Sequence, residues 1–304
     1  MFGILNLLKP PHVTSRDVVN QVQRLVKPAK AGHAGTLDPL AFGVLVVGVG
    51  PATRLVEYVQ RMPKRYRGTF LLGRSSDTDD VEGSVAELSD ASIPTREQIE
   101  AALPALTGRI MQRPPAFSAL KVKGKRAYDL ARRGESFELE ARPVIVYRLA
   151  LRDYDYPRLE LDVECGGGTY IRAIGRDLAA SLGTAAVMSD LCRTAIGGFR
   201  LEDAVSPDAL TRENLGRHLL PAARAVEGLP TVQLTAEECE RIRRGMAIQA
   251  GGRTSAEEST ESTADEFAAL TPSGELAAIL VPRATDQLRP SRMFLPAATS
   301  PPSH

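Results

Sequence analysis

The sequence predicts an α+β fold with a mixed, mostly antiparallel sheet flanked by helices. Short apolar runs of strand length mix with segments of helical period, and no strand–helix–strand unit repeats. The 304 residues suffice for one large domain and one small one, each with its own core. A composition of 43% hydrophobic and 25% charged residues is ordinary for a globular protein.

Taken in order, residues 3–8 are short and apolar and read as a buried strand, ended by Lys9-Pro10-Pro11. Thr14 and Ser15 offer N-caps to a helix over 16–26, where Val18, Val19, Val22, Leu25 and Val26 recur at helical spacing. The glycine-rich stretch 31–39 reads as a loop with tight turns. A strand over 43–48, a helix over 52–59 and a strand over 66–72 follow, then a turn-rich acidic loop at 75–83. Helices are predicted over 95–102 and 127–132, and strands over 144–154 and 159–165. Three glycines at 166–168 lead into Thr169-Tyr170-Ile171-Arg172 and a helix through Leu182. Near Glu227-Gly228-Leu229-Pro230 the character changes to short strands around an acid-rich insert, 251–266, read as disordered or mobile.

Composition removes several function classes. Cys165, Cys192 and Cys239 form no C-x-x-C pair, which argues against a zinc knuckle or a disulfide scaffold and fits a reducing compartment. The four histidines are scattered, so no metal site is read. The first residues lack a basic region before a long apolar one, and the run 44–49 is too short to span a bilayer, so a cytoplasmic protein is expected. Net charge is only +1, yet basic residues cluster at Arg61, Lys64, Arg65 and Arg67 and again at Lys121, Lys123, Lys125, Arg126, Arg132 and Arg133. Such local clusters suit a groove that tracks phosphates; they equally suit solvated surface.

Four segments carry the chemistry: Gly32-His33-Ala34-Gly35-Thr36-Leu37-Asp38-Pro39-Leu40-Ala41, Lys64-Arg65-Tyr66-Arg67, Gly168-Thr169-Tyr170-Ile171-Arg172 and Leu191-Cys192-Arg193-Thr194. Alone, each has a plain structural use: a turn aspartate, a packing tyrosine, a glycine-rich approach, a solvated arginine. In this order and spacing they resemble the bacterial tRNA pseudouridine-55 synthases of the TruB type, from Gly3 to about Pro230 and more weakly to Pro296. Thr78-Asp79-Asp80, Ser118-Ala119-Leu120-Lys121 and Ala141-Arg142-Pro143 agree with it.

The resemblance implies a pseudouridine synthase domain over 1–228 and a small C-terminal β-barrel of the PUA type over 229–296, with a disordered tail over 297–304. It implies that Asp38 is the catalytic carboxylate, that Arg172 pairs with it, and that Tyr66 lies on the flipped uracil. Tyr170 and Leu191 would wall the pocket, and His33 would sit beside the flipped nucleotide. Segment 113–142 would be a thumb-like insertion closing over RNA, with Lys64, Lys121, Lys123, Lys125 and Arg126 among the RNA contacts. The implied partner is tRNA at its T-arm and elbow, with its acceptor end touching the C-terminal module. No cofactor, metal, membrane or obligate protein partner is implied, and a monomer is expected.

The chemistry agrees: breaking a C–N glycosidic bond leaves positive character on the sugar, which a carboxylate stabilises or traps. Two alternatives stand beside this reading. One is a tRNA-folding chaperone in which binding outweighs catalysis. The other is a hydrolase pairing Asp38 with Asp77 or Asp79, which needs carboxylates about 5–10 Å apart. The sequence departs from the family at His12, where glycine is common, at Cys192, often arginine, and at the acidic insert.

Overall fold

The mostly apolar run Gly3–Lys9 (β1), broken only by Asn6 and ended by Lys9, is buried on both faces, as a strand inside a covered sheet requires. The computed structural model describes residues 1–117, 121–122, 125–126, 139–250, 265–284 and 286–295. The remaining strands of the first half are β2 (Ala31–His33), β3 (Phe42–Val49), β4 (Lys64–Leu72), β5 (Arg74–Ser75), β6 (Ala86–Glu87) and β7 (Gly108–Gln112). After β8 (Lys121–Val122) and β9 (Lys125–Arg126) come β10 (Arg142–Asp155), β11 (Arg158–Cys165), β12 (Ala186–Ile196) and β13 (Phe199–Arg200).

The large sheet runs β1-β3-β12-β4-β11-β10-β7, with β2 added to β3 and β13 to β12. Its pairs are antiparallel except β12 with β3, where Cys192 faces Phe42 and Arg193 faces Gly43. The expected mixed, mostly antiparallel sheet is therefore present. Its β1 edge is covered by a later segment: Ile4 and Leu220 exchange backbone hydrogen bonds, and Leu8 donates to Val205.

Helices close the faces. α1 (Ser15–Val26) starts where expected, with Thr14 capped by Asp17 in a reciprocal capping box. Its Val18, Val19, Val22 and Val26 pack on Leu5, Leu7, Leu45 and Val47. The expected helix at 52–59 divides into a tight 3-10 turn, Gly50–Leu55, opened by Pro51, and α2 (Val56–Arg61). α3 (Arg96–Ala102) and α4 (Ile171–Ser181) cover the other core, placing Ile99, Ile174 and Leu178 against Phe70, Leu159 and Leu161. Gly175 permits this approach, since a Cβ there would overlap the Phe70 ring.

Several strands were not read from the sequence, among them β2, β7 and β12. β2 takes the first residues of the expected 31–39 loop, β7 pairs with β10, and β12 lies between β3 and β4. The expected helix over 127–132 and the tail over 297–304 lie outside the described residues.

The C-terminal part forms a second five-stranded sheet, ordered β14 (Thr231–Gln233), β16 (Phe267–Leu270), β17 (Leu276–Ala284), β18 (Gln287–Met293) and β15 (Ile248–Gln249). One side builds its own core from Val232, Ile242, Phe267, Ala269, Leu280 and Leu288. The other contributes Ala268, Leu276, Ile279 and Phe294 to a joint core with Ile4, Val46, Leu55, Tyr58 and Ala225. Glu266, assigned from sequence to the mobile insert, is instead bonded at this joint: it accepts from the Tyr58 hydroxyl at 2.7 Å and pairs with Arg61 at 3.0 Å. Among the described residues no helix is long and apolar enough to cross a membrane.

Candidate active site

Asp38 sits on a loop between β2 and β3 that is held from three directions. Ser15, at the start of α1, accepts from the Leu37 amide at 2.9 Å and donates to the Leu37 carbonyl at 3.2 Å. Lys9, fully buried, donates to the carbonyls of Pro10, Pro39 and Ala41 at 3.0, 3.3 and 2.5 Å. Burial pushes its ammonium down to about 8, partly offset by the charge of Asp38. Arg193, 1% exposed, donates to Val44 at 2.7 Å and to Gly35 at 3.2 Å. Gly43 faces the Arg193 backbone at φ +109, where a Cβ has no room. Two buried cations thus spend their hydrogen bonds on loop carbonyls, an arrangement that fixes the backbone around Asp38.

The Asp38 side chain is 39% exposed and meets Arg172 at 3.0 Å, while Arg172 is only 6% exposed. The guanidinium, in the first turn of α4, is fully engaged. It reaches Asp80 at 3.1 Å, the Thr78 carbonyl at 2.7 Å and the Phe117 carbonyl at 3.1 Å. Asp80 is in turn held by the Thr78 hydroxyl at 2.5 Å and the Glu82 amide at 3.1 Å. One arginine therefore lies between two carboxylates, one facing outward and one buried.

Asp77 and Asp79, the partners a carboxylate-pair hydrolase would need, are committed elsewhere. Asp77 accepts from the Ser84 amide at 2.9 Å, and Asp79 pairs with Arg176 at 2.8 Å. Arg172 separates Asp38 from the nearby Asp80.

Around this ion pair the structure gathers most of the residues named from the sequence. Tyr66 on β4 and Leu191 on β12 join the apolar cluster that contains Leu37, Leu40 and Ile171. Burial pushes the Tyr66 phenol up, only partly offset by the charge of Arg193. Tyr170 immediately precedes α4. Gln112, buried at the end of β7, clamps its backbone, accepting from its amide at 2.8 Å and donating to its carbonyl at 3.0 Å. The Arg142 guanidinium lies 5.3 Å from the Tyr170 ring centre. His33 ends β2, half-buried, and burial holds its imidazole below the usual value.

The lysines divide. Lys64, expected among the RNA contacts, is 6% exposed and turned inward, capping the carbonyls of Gln60 and Met62 at the end of α2. Burial pushes it down to about 8, and it has no solvent-facing charge to offer a phosphate. Lys121 and Arg126 face each other across the β8–β9 ladder, with Lys125 opposite Val122. Lys123 lies outside the described residues.

Sequence reasoning missed four supports of the site. Asp80 looked like one more residue of a solvated acidic loop. Ser15 looked like a cap, and Arg193 like a surface arginine. Gln112 ended a strand that had not been read. Among the described residues no three His, Cys, Asp or Glu side chains stand together as metal ligands.

Comparison with known proteins gives the family. Residues 23–171 match the family described as TruB family pseudouridylate synthase (N terminal domain). A relative named tRNA pseudouridine synthase B, from Arthrobacter sp. (strain FB24), is 40% identical over 306 residues, covering 98% of each chain. Another of that name, from Caulobacter vibrioides, is 45% identical over 251 residues, covering 81% of each. A chain in the crystal structure of a Cbf5-Nop10-Gar1 complex superposes with a TM-score of 0.74 at 25% identity, covering 97% of this chain and 85% of that one. At that identity, and over that much of its length, this chain belongs to the TruB family of pseudouridine synthases and is an isomerase.

Proposed function

We propose that the protein converts the T-loop uridine of tRNA to pseudouridine, with Asp38 as the catalytic carboxylate. The observation that carries this is the Asp38–Arg172 pair at 3.0 Å, half-open to solvent on one side and backed by buried Asp80 on the other. The target base must leave its stack to reach such a carboxylate, so the nucleotide is flipped into the pocket. Tyr66 offers the π-face against which the uracil lies, and its phenol stands near C5, where a proton must depart. As the C–N bond breaks, Asp38 stabilises or traps the positive character on the sugar. The base turns within the pocket, C5 bonds to the sugar, the C5 proton leaves and N1 takes up a proton, so no atom is gained or lost. Leu191 and Tyr170 exclude water, which would otherwise hydrolyse the intermediate. His33 stacks on or hydrogen-bonds the loop nucleotides. No redox change or cofactor enters this isomerisation.

The names of the relatives support tRNA as substrate. The segment 113–142 serves as a thumb, its basic residues Lys121, Lys123, Lys125 and Arg126 contacting phosphates. The sheet over 229–295 acts as a PUA-type module at the acceptor end. A groove of about 480 Å³, lined by Gly245, Pro282, Arg283, Arg289 and Pro290, supports that role. The enzyme acts as a monomer in the cytoplasm.

Mass spectrometry of an unmodified tRNA transcript after incubation tests the reading: one T-loop uridine is converted. Conversion only elsewhere refutes the specificity. An Asp38→Asn variant that still converts refutes the catalytic assignment. Loss of conversion with intact tRNA-folding assistance separates catalysis from a chaperone role.

A further inference from the structure

The strand-to-helix connection from Lys9 to Arg16 wraps the Asp38 loop. Lys9 and the His12 amide both bond the Pro39 carbonyl, at 3.3 and 2.7 Å, and Ser15 bonds Leu37. Two basic side chains on this strap, His12 and Arg16, are exposed, and neither makes a side-chain hydrogen bond or salt bridge among the described residues. Asp17 does not neutralise Arg16, because its carboxylate is committed to the Thr14 amide at 3.0 Å and hydroxyl at 2.6 Å.

Their placement is specific. α1 is fastened to the 31–37 segment at both ends, by Gln23 to the Ala31 amide at 2.9 Å and by Ser15 to Leu37. His33 therefore lies along the first turns of α1, and the charge of Arg16 reaches it. His12 stands at the other end of the Asp38 loop, its amide on the Pro39 carbonyl, on the side of Glu82 in the acidic loop. Its backbone is held at φ +63, a conformation glycine adopts freely and histidine adopts at a cost. A strained, exposed, unpaired cation-forming residue beside a catalytic loop points to a ligand it serves.

We propose that Arg16 and His12 grip RNA backbone phosphates on opposite sides of the pocket mouth, Arg16 beside His33 and His12 beside the acidic loop. A flipped nucleotide has one phosphate entering and one leaving, and two donors bracketing the opening fix its register without reading sequence. The proposal rests on RNA as the substrate of the Asp38 site.

Steady-state kinetics on an unmodified tRNA transcript, with salt-dependent binding of a T-arm stem-loop, test it using wild type, Arg16→Ala, His12→Gly and, as a charge control on the same helix, Arg24→Ala. Arg16→Ala and His12→Gly each raise KM by roughly 3- to 10-fold with kcat within about twofold of wild type, and Arg16→Ala, which removes a full charge, lowers the slope of log Kd against log salt by about 0.7–0.9. His12→Gly melts no lower than wild type, so its loss of affinity is not a loss of fold. Unchanged KM and salt slope in both variants, or the same change in Arg24→Ala, overturns the proposal. Wild-type protein that converts no tRNA uridine overturns the substrate reading as well; conversion with unaffected variants overturns this inference alone.

Discussion

Arg172 is the residue on which the site turns, because it answers to two carboxylates at once. Removing the charge of Asp80 while keeping its shape leaves the guanidinium to Asp38, Thr78 and Phe117 and frees it to shift. Asp80→Asn is therefore expected to lower kcat by about 10- to 100-fold, since small misplacements at a reacting centre cost that much, with KM near wild type. Single-turnover rates on tRNA decide it, and a wild-type kcat would show that Asp80 does not position Arg172. His33 gives a pH prediction. Burial holds its imidazole below 6.5 in the fold. As pH falls through about 6.5 the unfolded chain takes up a proton that the fold refuses, so stability declines, then levels off once the folded imidazole also protonates. Urea midpoints for His33→Gln should show a shallower decline between about pH 6.5 and 5 than wild type; an identical curve removes His33 from the acid response. At this scale the Asp38–Arg172 ion pair was legible, because the two residues lie in short distinctive strings. Asp80, Ser15 and Arg193 were not. Their partners are 92, 22 and 149 positions away in sequence, and no local pattern announces such a bond.

Among the elements, β12 best explains what was missed. Ser189, Asp190, Arg193 and Thr194 break the apolar run that identifies a buried strand, yet the strand is bonded to β4 on one side and to β3 on the other. The polar positions are there because the strand delivers Leu191 and Arg193 to the site. The irregularity after Arg193 in its pairing with β4 is the kind of bulge that re-aims a side chain. Strands and helices with simple periodicity, such as β11 and α1, were legible because their apolar positions recur at the spacing of the faces they bury. The close approach of β3 to β12 makes a sharp prediction at Gly43. Alanine there meets both an unfavourable positive φ and the Arg193 backbone, and should cost about 2–4 kcal/mol by urea denaturation. A cost below about 0.5 kcal/mol, the range of a neutral surface change, would mean that the strands simply move apart.

For the whole molecule, the joint between the two sheets decides whether they behave as one body. Glu266, Tyr58, Arg61, Arg292 and Glu57 form a continuous polar seam over the shared apolar core, with Arg292 5.2 Å from the Tyr58 ring centre. Tyr58 is 4% exposed, so its hydroxyl depends on Glu266 for a partner. A double-mutant cycle of Tyr58→Phe and Glu266→Gln should return a coupling of about 0.5–1.5 kcal/mol, and zero coupling would make the contact incidental. The second sheet begins at Thr231, close to the change of character read near residue 228. The joint was not legible, because Glu266 reads as the end of an acidic tract rather than as a docking residue.

The stacking of Phe2 on Phe294, ring centres 5.4 Å apart, has a consequence for how the protein is made. The two rings belong to almost opposite ends of the described chain, so the core they share cannot close while the ribosome is still building the second sheet. At roughly 5–20 residues per second that interval is on the order of tens of seconds. Throughout it, Ile4, Val46 and Leu55 lack part of their cover. During synthesis β1 emerges long before the second sheet that seals it, and a nascent chain paused before residue 267 is where a chaperone would find it.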